Sequence, residues 1–409
     1  MKTINKSNIE IKSFGIINAL GSNQRQVLES LEEGRSVGMK PFNTSILDKQ
    51  YHCGVVESEL PEIPEKFSQF NCRNNQLAAA ALQQIDEDIH TAKQQFGKSR
   101  VGVVMGTSTS GIKEAEVALK EKSQSGELPS EFSYKMQEIG ALAEFVSGWL
   151  DVTGPSYAIS TACSSSGKVF SAAARLLDSN ICDAVVVGGA DSLCDLTLGG
   201  FDSLEAISEQ PTNPFSVNRS GINIGEAAAV FLLTKKRVGE SSEESIDNQP
   251  SIQLLGVGES SDAHHMSAPE PNGEGAMACM QAAMDDAGLL PTQIDYLNLH
   301  GTGTKLNDSM EAKAVHSIFG EQLKCSSTKP MTGHTLGAAG ATEVALCCLI
   351  LKHASNKIAP IHLFDGKLDP ELSKIDLISN TYFDQSITTA MSNSFAFGGN
   401  NVSVIVGIR

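Results

Sequence analysis

The chain has 409 residues, 41% apolar and 19% charged, the balance of a globular protein with a large core. A net charge of −17 argues against binding nucleic acid or an anionic membrane, and no apolar run approaches the ~20 residues of a membrane span. The 9 cysteines follow no disulfide framework and Met1–Lys6 lacks the apolar stretch of a secretory signal, so reduced thiols and a cytoplasmic location are expected.

Strand-like apolar runs alternate with Ala/Leu-rich, helix-like runs along the chain. Val101–Met105 reads as a buried strand ending in the Gly/Ser/Thr turn Gly106–Gly111. Tyr157–Ser160 reads as a short strand and Lys168–Leu177 as a helix. Cys163 sits between them, in Thr161-Ala162-Cys163-Ser164-Ser165-Ser166-Gly167. A thiol at a helix start meets free N–H groups and the positive end of the macrodipole, which favour the nucleophilic thiolate. Lone cysteines are also commonly small buried hydrophobes, and this segment alone weighs the two readings equally. Ala184–Gly189 and Ala228–Leu233 are further strands, apolar on both faces, which calls for a sheet covered by helices on each side.

Glu240–Pro250 is polar and charged and reads as a linker between residues 1–250 and 251–409. Three polar landmarks follow it. The strand Ile294–Leu299 ends at His300, which opens the loop Gly301-Thr302-Gly303-Thr304. A loop carrying Lys329 leads to His334 and the small-residue helix Gly337–Glu343. Ser392–Asn401 is a Gly-rich turn between two strands. Each has an ordinary structural reading by itself. A thiol, two imidazoles and an amine, all on glycine-lined turns beside strands, favour a shared site. His264-His265 and Cys347-Cys348 match no metal-ligand spacing, and no metal is expected.

These four segments resemble the elongating β-ketoacyl-acyl-carrier-protein synthases: Thr161–Ser165, His300–Thr304 with Asn307-Asp308, Lys329–Gly340, and Asn393–Gly399. The resemblance implies an α/β, thiolase-like fold, five-layered αβαβα and built from two similar halves. It implies acyl transfer to Cys163, then decarboxylative condensation with a malonyl thioester. Cys163 would be the nucleophile, with its N–H and that of Phe397 as oxyanion hole. His300 and His334 would stabilise the enolate, and Lys329 would tune the charge around His334. Phe395, Gly398 and Gly399 complete the gating loop. Asp308, Glu311 and Glu343 would support the site from behind, and Thr109 would line the acyl pocket. No cofactor is implied, since the substrates are phosphopantetheine thioesters on an acyl carrier protein. The implied assembly is a homodimer, or a heterodimer with a homologous subunit.

Neighbouring families fit less well. Degradative thiolases use a second cysteine in the last loop, and no Cys follows Cys348. A coenzyme A acyltransferase and a non-catalytic chain-length subunit stand as alternatives. Several positions depart from the elongating pattern. Ser216 and Ser220 replace two aspartates, Ala396 replaces a glycine, and Glu205 stands where a basic residue often meets the acidic carrier. The nearest basic candidates for that contact are Lys66, Arg73, Lys235, Lys236 and Arg237. These departures point to a specialised pathway, of type II polyketide or aryl polyene type.

Overall fold

The computed structural model describes residues 8–235, 251–353, 357–381 and 386–408; the linker segment Glu240–Pro250, Lys236 and Arg237 lie outside them. The first part of the chain runs β1 (Ile9–Ile17), α1 (Gln24–Glu32), β2 (Met39–Asn43), β3 (Gln50–Gly54), α2 (Arg73–Gln83), α3 (Asp86–Phe96), β4 (Val101–Gly106), α4 (Ile112–Ser125), α5 (Ala141–Leu150), β5 (Ser156–Ile159), α6 (Ser165–Asp178), β6 (Ala184–Asp191), α7 (Asp195–Ser203) and β7 (Ala227–Lys235). The second part runs β8 (Ile252–Ser261), α8 (Glu274–Ala287), β9 (Tyr296–Asn298), α9 (Lys305–Phe319), β10 (Lys324–Ser326), α10 (Lys329–Thr332), α11 (Ala339–Lys352), β11 (Asp376–Leu377), β12 (Thr389–Phe395) and β13 (Asn400–Ile408).

The two parts repeat one topology. Strands are ordered β5-β4-β6-β7-β1 in the first and β10-β9-β12-β13-β8 in the second. In each, the first three strands are parallel and the last two antiparallel. The switch between them falls after β7 and before β8. A short β1–β8 ladder, Ile9↔Leu254 to Ile11↔Ile252, joins the two sheets.

The layering follows from which faces are apolar. Helix α11 is buried along its whole length from Ala339 to Leu351, as a helix between two sheets must be. It packs with α6 and with the inner faces of both sheets in one core that includes Phe170, Phe231, Leu346 and Val404. The helices cross closely: a Cβ on Gly340 would lie 2.5 Å from the backbone N of Gly167, so Gly340 admits no side chain. Helices α2, α3 and α5 cover the outer face of the first sheet through Leu77, Ile89 and Phe145. Helices α8 and α9 cover the second through Met280, Met284 and Val315. The result is the expected five-layered αβαβα arrangement. Cys347 and Cys348 are core residues of the central helix. Among the described residues, no helix is long and apolar enough to cross a membrane.

Candidate active site

The turns that leave the carboxyl ends of the parallel strands converge where the two halves meet. Cys163 follows β5, and its turn depends on Ala162 at φ +53°, a left-handed conformation that costs a residue with a Cβ about 1–2 kcal/mol. Ser165 holds the turn: its N–H and its hydroxyl both donate to the Ala162 carbonyl, at 3.1 and 2.6 Å. The thiol therefore points into a cavity of about 760 Å³ that His300, His334, Phe395 and Phe397 also line.

His334 Nε2 lies 3.1 Å from Cys163 Sγ. The His300 and His334 rings stand edge to face with centroids 5.3 Å apart. The backbone N–H groups of Cys163 and Phe397 both point at the sulfur, and the Phe397 ring packs on Phe201 with centroids 5.6 Å apart. Gly398 and Gly399 take positive φ in the β12–β13 turn and carry no wall of the cavity. The Gly398 N–H donates to the Met266 carbonyl, tying that turn to the 262–272 loop.

One sequence-based expectation changes here. The helix start was expected to favour the thiolate, but burial dominates and pushes the Cys163 thiol up to about 11, against the pull of Lys329 and of the two N–H groups. The resting nucleophile is thus a thiol beside a base. The Lys329 charge bears on His334, and Lys329 Nζ lies 3.4 Å from His300 Nδ1 and 2.5 Å from Glu343 Oε1. An ammonium only donates, so Nδ1 of His300 accepts and its proton sits on Nε2. Burial, together with the Lys329 charge, holds both imidazoles well below their usual range, so both are neutral.

Asp308 and Glu311 are buried on α9. Asp308 accepts from the N–H groups of Phe215 (2.8 Å) and Gly303 (3.2 Å). Glu311 accepts from His300 (2.7 Å) and Gly301 (2.6 Å). They fix the His300 loop through its backbone. Burial raises both carboxyls, to about 6 and about 7, and that of Glu343 to about 7. Ligand atoms of Cys163, His300 and His334 lie within 4.8 Å of one another, close enough to share a cation. Lys329 beside His300 sets a positive charge against that use.

Thr109 is buried and lies outside the lining of the Cys163 cavity. Its hydroxyl donates to Asp191 Oδ1 (2.9 Å) and accepts from the Ser192 N–H (3.1 Å). Asp191 is a residue that the sequence gave no reason to single out. Its carboxylate accepts from Thr107 Oγ1, the Ser108 and Thr109 N–H groups, Thr109 Oγ1 and the Ala338 N–H. Five donors and no acceptor describe an ionised group, even though burial raises its pKa. Ser108 Oγ in turn donates to the Ala162 carbonyl (3.2 Å). Asp191 thus ties the nucleophile turn to the segment after His334. Asp191→Asn should set an amide N–H against these donors. We expect a loss of about 3 kcal/mol of stability, read from the shift of the denaturation midpoint, and slower modification of Cys163 by iodoacetamide.

The Ser216–Arg219 loop is held by carboxylates from elsewhere in the chain. Ser216 Oγ and Asn218 Nδ2 donate to Asp365, at 2.8 and 2.6 Å, and buried Arg219 pairs with Asp369 at 2.6 Å. Arg73 is likewise committed to buried Glu226 (2.5 Å) and does not offer a docking charge.

Residues 6–238 match the family model described as beta-ketoacyl synthase, N-terminal domain, and residues 252–362 match its C-terminal domain. The 3-oxoacyl-[acyl-carrier-protein] synthase 2 of Staphylococcus aureus is 31% identical, over 97% of this chain and 99% of its own. A Xenorhabdus doucetiae ketosynthase, solved in complex with its chain length factor, is 42% identical with a TM-score of 0.91, over 98% of both chains. The structure described as the ishigamide ketosynthase/chain length factor is 25% identical with a TM-score of 0.86, over 99% of this chain and 100% of its own.

Proposed function

The chain belongs to the β-ketoacyl synthase family, and from that premise we propose that it is a 3-oxoacyl-[acyl-carrier-protein] synthase. Its place is a cytoplasmic, specialised elongation pathway of type II polyketide or aryl polyene type. The observation that carries this reading is the buried Cys163-His334-His300 constellation, with two backbone N–H groups on the sulfur.

The thiol of Cys163 passes its proton to His334 Nε2 as sulfur attacks the acyl thioester carbon. The oxygen becomes an oxyanion on the Cys163 and Phe397 N–H groups, and the carrier thiol leaves with the proton. A malonyl thioester then binds with its carbonyl oxygen between the imidazoles. Loss of carbon dioxide leaves an enolate, which accepts hydrogen bonds from the neutral ring of His300, through Nε2–H, and from His334 after its remaining proton shifts from Nδ1 to Nε2. The enolate carbon attacks the acyl group on Cys163. The carbon–carbon bond forms, the carbon–sulfur bond breaks, and the sulfur leaves as a thiolate that takes up a solvent proton to regenerate the resting thiol. No step calls on a cofactor.

The Xenorhabdus relative, solved with its chain length factor, supports a heterodimer with a homologous, chain-length-setting subunit. Intact-mass analysis tests the reading. An acyl adduct should form from acyl-carrier protein, faster from a dedicated carrier than from a housekeeping one. Labelling by acyl-coenzyme A alone would favour a coenzyme A acyltransferase. No adduct at all, with or without a partner subunit, would favour a non-catalytic role.

A further inference from the structure

We propose that the mouth of the Cys163 cavity is a carrier-docking collar that works by apolar contact rather than by a basic patch. Large apolar side chains at the surface carry a cost unless something covers them, and a cluster of them marks an interaction site. Two line this mouth, Leu204 (55% exposed) and Leu306 (62%), and three more lie beside residues that line it, Met266 (78%), Val217 (51%) and Leu368 (54%). Met266 lies between His265 and Ser267, which also line it, and its carbonyl holds the Phe397 turn through Gly398. Val217 and Leu368 sit side by side, because the Val217 N–H bonds to the Lys367 carbonyl and Ser216 bridges to Leu368. Arg219, two residues from Val217, reaches the lining.

The charges at the mouth are mixed: beside Val217 and Leu368, exposed Lys367 is offset by exposed Asp365. Arg219 is buried and paired with Asp369, which leaves Lys305 as the exposed cation of the lining against Glu205 and Asp262. The chain as a whole carries −17. An acidic carrier therefore meets long-range repulsion and a near-neutral mouth, and apolar contact is what remains to hold it. The occupant is the acyl carrier protein, since its arm must enter this opening to reach Cys163. This inference rests on the carrier-dependent reading above.

The test is the steady-state KM for acyl-carrier protein as salt rises, for the assembled enzyme. Rising salt screens charge and strengthens apolar association, so KM should stay level or fall. Val217→Asp and Leu368→Asp, neither of which lines the cavity, should each raise the carrier KM about tenfold with kcat within about twofold. Turnover of a short acyl-pantetheine thioester, which needs no docking, should change less than about twofold in both. Lys305→Glu should cost less in KM than either. A KM that climbs with salt, or a larger effect of Lys305→Glu, would overturn the collar. So would equal losses with the pantetheine thioester, or heterodimer dissociation in the Asp variants, which would assign the patch to the partner subunit. If the unsubstituted enzyme turns over neither substrate, the carrier reading itself fails and the collar falls with it.

Discussion

Cys163→Ala is expected to abolish acyl loading and to lower condensation by at least about 10⁴-fold, the scale seen when the nucleophile of a covalent mechanism is removed. The fold makes no other thiol a substitute. The remaining cysteines are buried in the core or beneath loops; none shares the contact that Cys163 makes with His334, or its two N–H groups. Because the left-handed turn sits at Ala162 and its hydrogen bonds come from Ser165, the variant keeps its backbone. Intact mass and single-turnover product analysis measure the effect. A second consequence concerns pH. With the thiol pushed up to about 11, alkylation of the resting enzyme should keep accelerating well above neutrality. A plateau below pH 7 would mean a preformed thiolate and would contradict a proton transfer to His334 on attack.

His300→Ala and His334→Ala should each slow decarboxylative condensation by about 10²–10³-fold, as loss of one donor to a developing oxyanion does elsewhere. They should differ in the first half-reaction. His334 touches the sulfur, so its removal slows acyl loading as well. His300 has its Nδ1 turned to Lys329, so its removal should leave loading within about tenfold of normal. Burial depresses both imidazoles in the folded chain. Their neutral, donating form should therefore persist below pH 6.5, with no acid limb at the ordinary histidine range. Stability takes the matching sign. Below about pH 6.5 the unfolded chain binds protons that the folded imidazoles refuse, so these two groups make folding less favourable as pH falls. Stopped-flow loading, carbon dioxide release and pH–rate profiles separate these effects.

The residues that bear on the reacting atoms were legible because each sits in a short local signature. A thiol before an Ala-rich helix, a histidine at a strand end and a Gly-Gly turn are patterns within ten residues. What held them in place was not local. Asp191 reaches Ala338, Ser216 reaches Asp365, and Arg73 reaches Glu226, pairings that only the folded chain brings together. The approach of Lys329 to His300 and Glu343 depends on how α10 turns the lysine inward, which no local pattern shows. The depressed thiolate was misjudged because a helix N-terminus shows in the sequence and the depth of burial does not. The strand order shows in detail how far the two halves match.

The most direct measurement of the central claim is product stoichiometry. The assembled enzyme is given acyl-carrier protein and malonyl-carrier protein, and carbon dioxide and 3-oxoacyl-carrier protein are counted. Cys163, His300 and His334 in one site predict one carbon dioxide and one new carbon–carbon bond per malonyl group consumed, both lost in Cys163→Ala. Transfer of the acyl group between thiols with no carbon dioxide released and no chain extension would contradict it.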